Sequence, residues 1–428
     1  MIGTCEQHVT SAVASASPLR DVEHAILRHS GEVPLLLDRL RNSDQSNALY
    51  FAIQGIVRLF SARISDRDAI RASLAKAEIR GGTPQSHVYV EVLRRLADGL
   101  AADAADLLDY WCAICPKDVL AVKLCASLRF MSGDVAGIAN VTRRCLLALS
   151  PGSFGYGYVL GCHAFALEEL GEYGAAERFA ERALRHASDD VWALHALVHV
   201  HTTKGNPGLA LELIREAAPV WRRCGTFARH IAWHGAILLV SGGQVDEALE
   251  QYDTAVNANA SDDYRDMANA ASLLRYIERA GIDCGARWKE LAAKADKRVA
   301  DGSLVFSILN DLLILLRVRD KAGVSRALES LVEMTRSRGD QGDIAAAVGL
   351  DVARFVVHPK PGAWTAEKAR GVLERLGCLG GSRIQRDFFV LEMLSRAVEA
   401  RLPHVADAIR AYREVRVADA SHDAPTAW

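Results

Sequence analysis

The stretch Tyr158–Asp190, "YVLGCHAFALEELGEYGAAERFAERALRHASDD", reads as two amphipathic helices joined by a tight turn. Gly171, in "LGEY", is the residue type that most readily takes the backbone conformation such a turn needs. Ala164, Ala176 and Ala183 stand where the two helices must approach closely. Two further copies follow: "VWALHALVHVHTTKGNPGLALELIREAA" (Val191–Ala218) and "IAWHGAILLVSGGQVDEALEQYDTAVNAN" (Ile231–Asn259). In the first of these, Asn206 and Pro207 make a helix start directly after Gly205.

The turn glycines are periodic. Gly99, Gly133, Gly171, Gly205 and Gly243 are separated by 34, 38, 34 and 38 residues. A helix–turn–helix unit at about this period is the signature of tetratricopeptide-type arrays. The expected fold is therefore all-α, a tetratricopeptide-like right-handed helical solenoid. Residues 1–80 are expected as an N-terminal helical cap and 81–260 as repeats, with Ser86–Ile114 and Asp118–Leu149 as the upstream copies. Residues 261–415 are expected as degenerate repeats of the same solenoid, and 416–428 as a flexible tail.

Composition removes several classes of partner. Of 428 residues, 51 are Lys or Arg and 53 Asp or Glu, a net charge of −2. No global field exists to attract nucleic acid or an anionic membrane, and neither is expected as a partner. The longest apolar run, "LLILL" at 312–316, is far short of the roughly 20 residues a membrane-spanning helix needs. The N-terminus has no basic start followed by an apolar core, so no secretory signal and a cytoplasmic location are expected. Nine scattered cysteines suit a reducing compartment, and the one CxxC, Cys112 with Cys115, has no second pair to complete a zinc site. G-x-S-x-G, GxxxxGK[ST] and H-E-x-x-H are all absent, which disfavours hydrolase and nucleotide chemistry of those kinds.

The polar residues that stand out are two histidine pairs, His195 with His199 and His230 with His234. Residues four apart share one helix face, and a separation of 35 residues sets the two pairs on first helices of successive repeats, side by side. They are expected beside the apolar stripe rather than within it. The preceding first helix brings Glu168 and Glu169, with Tyr158, Trp192 and Trp233 flanking, while His163 falls on the packed side. Four readings follow. The histidines are structural; they bind a small molecule or short peptide; one acts as general acid or base beside a carboxylate; or all four converge on a metal. The last is the least favoured, and no cofactor is expected.

With "GCHAFALEELGEYGAAERFAERAL", "WALHALVHV", "HIAWHGAILLVSGGQVDEALEQYD", "NAASLLRYIERAGIDCGARWKEL" and "GGSRIQRDFF" in this order, the chain resembles the tetratricopeptide repeat protein 38 family over approximately 150–400. The resemblance implies recurrent polar positions at Glu168, Glu169, His195, His199, His230, Trp233, His234, Asp253, Arg287, Trp288, Gln385, Arg386 and Asp387. It also implies that the "QRD" helix folds back toward the histidine helices and closes a pocket. Arg386 and Asp387 would then supply an anion-binding guanidinium and a carboxylate, or a buried structural ion pair. Three positions depart from the family pattern: Arg383 followed by Ile384 replaces His-Ala, Thr202 replaces a glutamate and Asn310 a histidine.

The sequence thus predicts a protein that binds a small molecule or short peptide. An acid–base group of His195, His199, His230, Glu168 and Glu169 would be surrounded by Tyr158, Trp192, Thr202, Trp233, His234, Asn310, Arg383, Gln385, Arg386 and Asp387. An enzyme of a bacterial small-molecule pathway and a scaffold for a protein partner are the alternatives.

Overall fold

The computed structural model describes residues 18–41, 47–258 and 261–420. Among these residues the protein is all-helical, with no strand beyond an isolated bridge between Arg63 and Gly302. Aspartates start several helices: Asp118, Asp134 and Asp190 accept from the backbone N–H groups of Ala121, Gly137 and Trp192. Left-handed residues separate the paired helices. All five glycines of the sequence ladder have positive φ, from 74° to 86°.

The ladder runs further than the glycine pattern suggests. Gly281 (φ 99°) and Arg319 (φ 60°) lie 38 and 76 residues beyond Gly243. Arg319 is an arginine in a conformation that suits glycine. The helix Tyr156–Glu169 packs on its successor, Tyr173–His186, and on the next but one, Val191–Thr203. Ala164, Ala176, Ala180 and Ala183 are fully buried at these contacts.

A helix expected over 19–40 is instead two, Pro18–Leu27 and Val33–Arg41. His29 breaks it with φ 56°, which turns the chain so that Gly31 N–H donates to Arg223 O at 3.0 Å. At the other end the helix Pro403–Ala420 continues into the segment expected as a tail, and residues 421–428 lie outside the described residues.

The N-terminal and C-terminal halves meet turn against turn. Ile64 N–H donates to Asp301 O at 2.8 Å, Ser303 N–H to Ala62 O at 3.1 Å, and Asp340 N–H to Gly99 O at 3.1 Å. A Cβ on Gly133 would lie 2.0 Å from Gly377 O, and one on Gly380 2.4 Å from Met131 O. The halves therefore enclose the space between them. No helix among the described residues is long and apolar enough to cross a membrane.

His163 packs edge-on against Phe179, its Nδ1 2.9 Å from Thr142 Oγ1, on the side where its register set it. Burial lowers its pKa to about 4. A histidine held neutral in the folded state contributes stability that is present above its unfolded pKa near 6.5 and is lost as pH falls toward 4. The difference in unfolding free energy between wild type and His163→Asn is expected to shift by about 2 kcal/mol against wild type from pH 7 to pH 5. Parallel urea curves at the two pH values measure it; a constant difference contradicts it. Arg319→Gly is expected to stabilise by about 0.5–1 kcal/mol, read from the thermal midpoint, because it removes the left-handed strain. A lower midpoint would refute that account.

Candidate functional site

Three helices, Tyr156–Glu169, Val191–Thr203 and Gly225–Ser241, bring the predicted histidines together. His195 Nε2 lies 2.9 Å from His230 Nε2 and 3.0 Å from His234 Nε2. His234 Nε2 lies 3.1 Å from His230 Nε2 and 3.2 Å from His199 Nε2. The rings are buried, none more than 8 % exposed. Neighbouring helices cover the face that a single amphipathic helix would leave open. Burial lowers the pKa values of His195 and His234 well below the ordinary value and that of His230 to about 3, with neighbouring imidazoles adding to it. These three rings are neutral at pH 7.

The remaining ring nitrogens are held from outside the cluster. His199 Nδ1 is 3.1 Å from Glu168 Oε2. Burial alone would raise the Glu168 carboxyl, but His199 and Arg383 bring it below its ordinary value, so the carboxylate accepts and His199 Nδ1 carries the hydrogen. His230 Nδ1 faces Asn269 Oδ1 at 3.2 Å. Trp233 Nε1 donates to Ser272 Oγ at 2.9 Å while its ring stacks on His230.

The C-terminal helix Arg383–Glu399 reaches the same place. Its capping box, Ser382 with Gln385, fixes the helix start, and Arg383 N–H donates to Glu169 Oε1 at 3.0 Å. Arg383 Nη2 donates to Glu168 O at 2.8 Å and to Tyr173 OH at 2.9 Å, and lies 3.4 Å from Glu168 Oε1. Arg386 Nη2 lies 3.4 Å from Glu169 Oε2, and its Nη1 donates to Gly381 O. Of the two roles open to Arg386, the geometry is that of a buried ion pair.

Other predicted residues lie apart from the histidines. Asp387 binds Arg413 at 2.8 and 2.9 Å and Tyr276 OH at 3.2 Å, because it follows Arg386 by one position and projects from another side of the helix. Tyr158 OH donates to Asp189 at 2.7 Å and meets His24 at 2.8 Å, near the start of its helix and three turns from Glu169. Asn310 donates to Phe306 O within its own helix at 2.8 Å. Thr202 is buried one turn beyond His199. Asp253 pairs with Arg287 at the surface, and Trp288 donates to Glu278 at 2.8 Å.

A cavity of about 460 Å³ opens beside the cluster, with Trp192, His195, His230 and Gln385 in its wall. Its remaining wall is largely apolar, including Phe130, Phe165, Phe227 and Phe306 from both halves of the chain. Three basic wall residues were not anticipated: His29, Lys123 and Arg265. Arg265 is neutralised by a bidentate pair with Asp263 at 2.7 and 2.8 Å. Lys123 is 6 % exposed, and its Nζ meets Cys162 Sγ at 3.9 Å and the Trp192 ring at 4.6 Å. Among the described residues no carboxylate forms an ion pair with it within 4.0 Å; the nearest electrostatic partner is the buried Asp190, which caps its own helix through Trp192 N–H. His29 stacks against both Trp192 and Phe227, and its buried Nε2 has no hydrogen-bond partner. Lys123 left a signal in the sequence, a lone cation in the apolar run "VLAVKLCASL"; His29, in "RHSGE", left none.

No protein-family model matches the chain. Arg383→Ala is expected to cost about 3 kcal/mol, since it leaves the buried carboxylates of Glu168 and Glu169 short of donors. An unchanged urea midpoint would show that the Arg383 contacts contribute nothing net.

Proposed function

We propose that this protein binds a small anionic molecule with an apolar body in the cavity between its two halves. Lys123 carries the reading. A buried ammonium beside an aromatic ring, without a carboxylate at ion-pair distance, is costly unless something completes it. A ligand carboxylate or comparable anion would do so, with His29 Nε2 as a second polar contact and the phenylalanine-lined wall taking the apolar part. The cavity volume falls in the range of small-molecule sites.

We infer further that the helical array is a tetratricopeptide-like right-handed solenoid of the kind found in the tetratricopeptide repeat protein 38 family, which the left-handed turn every 34 or 38 residues supports. Enclosure of the space between the halves favours a small molecule over a peptide or protein laid along an open groove. Acid–base catalysis by the histidines has less support, because burial keeps three rings neutral and all four turn their Nε2 atoms toward one another.

Thermal-shift screening of paired carboxylates and their amides, followed by calorimetry, tests the reading. At least one carboxylate is expected to bind wild type, with Lys123→Met weakening it about 10–100-fold, the worth of a charge-assisted hydrogen bond. Equal binding of carboxylate and amide, or equal affinity in Lys123→Met, would sink the proposal.

A further inference from the structure

The histidine cluster cannot be explained by hydrogen bonding among its own rings. In the ring plane a given Nε2 presents either a hydrogen or a lone pair, never both. His195, His230 and His234 hold their Nε2 atoms mutually 2.9, 3.0 and 3.1 Å apart. Of three such atoms at least two are alike, so at least one edge of the triangle sets lone pair against lone pair or hydrogen against hydrogen. Protonating a ring does not help, because it only exchanges one kind for the other. His234 is worse placed still, since its single Nε2 function faces three neighbours at once, His199 included at 3.2 Å.

A shared cation removes the conflict: every lone pair then points at the same centre. We propose that His195, His230 and His234 bind one first-row transition-metal dication of the class imidazole favours, such as zinc, nickel, copper or iron, with His199 against His234 at its edge. Nitrogens bound at about 2.1 Å are roughly 3.0 Å apart when their bonds meet at right angles, and the three separations of 2.9, 3.0 and 3.1 Å centre on that value.

The surroundings fit. Asn269 Oδ1 on His230 Nδ1 fixes the tautomer that leaves the His230 Nε2 lone pair facing inward, as the outer partner of a metal-bound histidine does. Glu168 brings negative charge to the site through His199. The second acidic group near it, Glu168 and Glu169 with His199, is a weaker candidate, because Arg383 and Arg386 already occupy those carboxylates. His195 and His230 face the cavity, so the ion would stand in its wall.

Metal binding is measurable without any knowledge of the cavity's ligand. The full-length protein, stripped with chelator and titrated with Co²⁺, is expected to take up one equivalent with visible d–d absorption. Plasma mass spectrometry should find about one equivalent of one such metal in protein purified from replete medium. His234→Ala and, independently, His195→Gln are each expected to weaken Co²⁺ binding by at least about 100-fold, while Asn269→Ala weakens it by about 10–100-fold as loss of an outer partner does. X-ray absorption of the loaded protein should report an imidazole shell without sulfur. Uptake below a tenth of an equivalent by wild type, a sulfur-containing shell, or full uptake by a folded His234→Ala or His195→Gln protein overturns the site. Lys123→Met should bind the metal normally, which separates failure of this site from failure of the anionic-ligand reading.

Discussion

The contact between Glu168 and Glu169 on one side and Arg383 and Arg386 on the other joins residues more than 200 positions apart, and the site depends on it. Two buried carboxylates at the end of one helix would be unsupportable alone. The C-terminal helix brings two guanidinium groups and a backbone N–H to them, and its own start is set by the Ser382–Gln385 capping box. The same contact holds Glu168 against His199, and so determines which nitrogen of that ring faces the cluster. Closure of the fold and the chemistry of the histidines therefore run through one carboxylate.

Closure is also built from backbone. The turns at 62, 99 and 131–133 and the helix end at 168–169 meet residues 301–303, 339–340, 377–380 and 383–386 in that order, four contacts that join the two halves. Several of these contacts leave no room for a side chain. Gly133 therefore meets two demands at once: a left-handed φ of 74°, which ends its helix, and a carbonyl at the distance where a Cβ would stand.

The all-helical class was legible because its markers are local. Apolar periodicity gave most helix positions, and glycine at the turns gave the period. The ladder was under-read where chemistry and conformation part company, at Arg319, whose side chain carries no hint of its left-handed backbone. The histidine pairs were legible as pairs, and their convergence followed from the 35-residue spacing. Their burial was not, since which face of a helix is covered depends on elements far away in sequence. The same limit applies to the break at His29 and to the arrival of Arg383: a contact between residues 31 and 223, or 169 and 383, has no period to detect. Asp387 and Tyr158 show a further limit, because a short motif or a shared helix does not decide which side of the helix a given residue occupies.

The cavity wall is electrostatically one-sided. Lys123 lies over the Trp192 ring, and Trp192 in turn packs against His195, with ring centroids 5.3 Å apart. The carboxylates near the histidines are turned away into pairs with arginines, and Arg265 has its own aspartate. What faces the space is thus an ammonium, neutral imidazoles and aromatic rings, with no facing carboxylate to repel an anion. A cation bound by the histidines would deepen this bias, while the apolar remainder of the wall keeps local screening by water weak. Anion selectivity of the cavity and cation affinity of its wall are then two consequences of a single arrangement, in which the negative charges of the site are kept outside the cavity by their arginine partners.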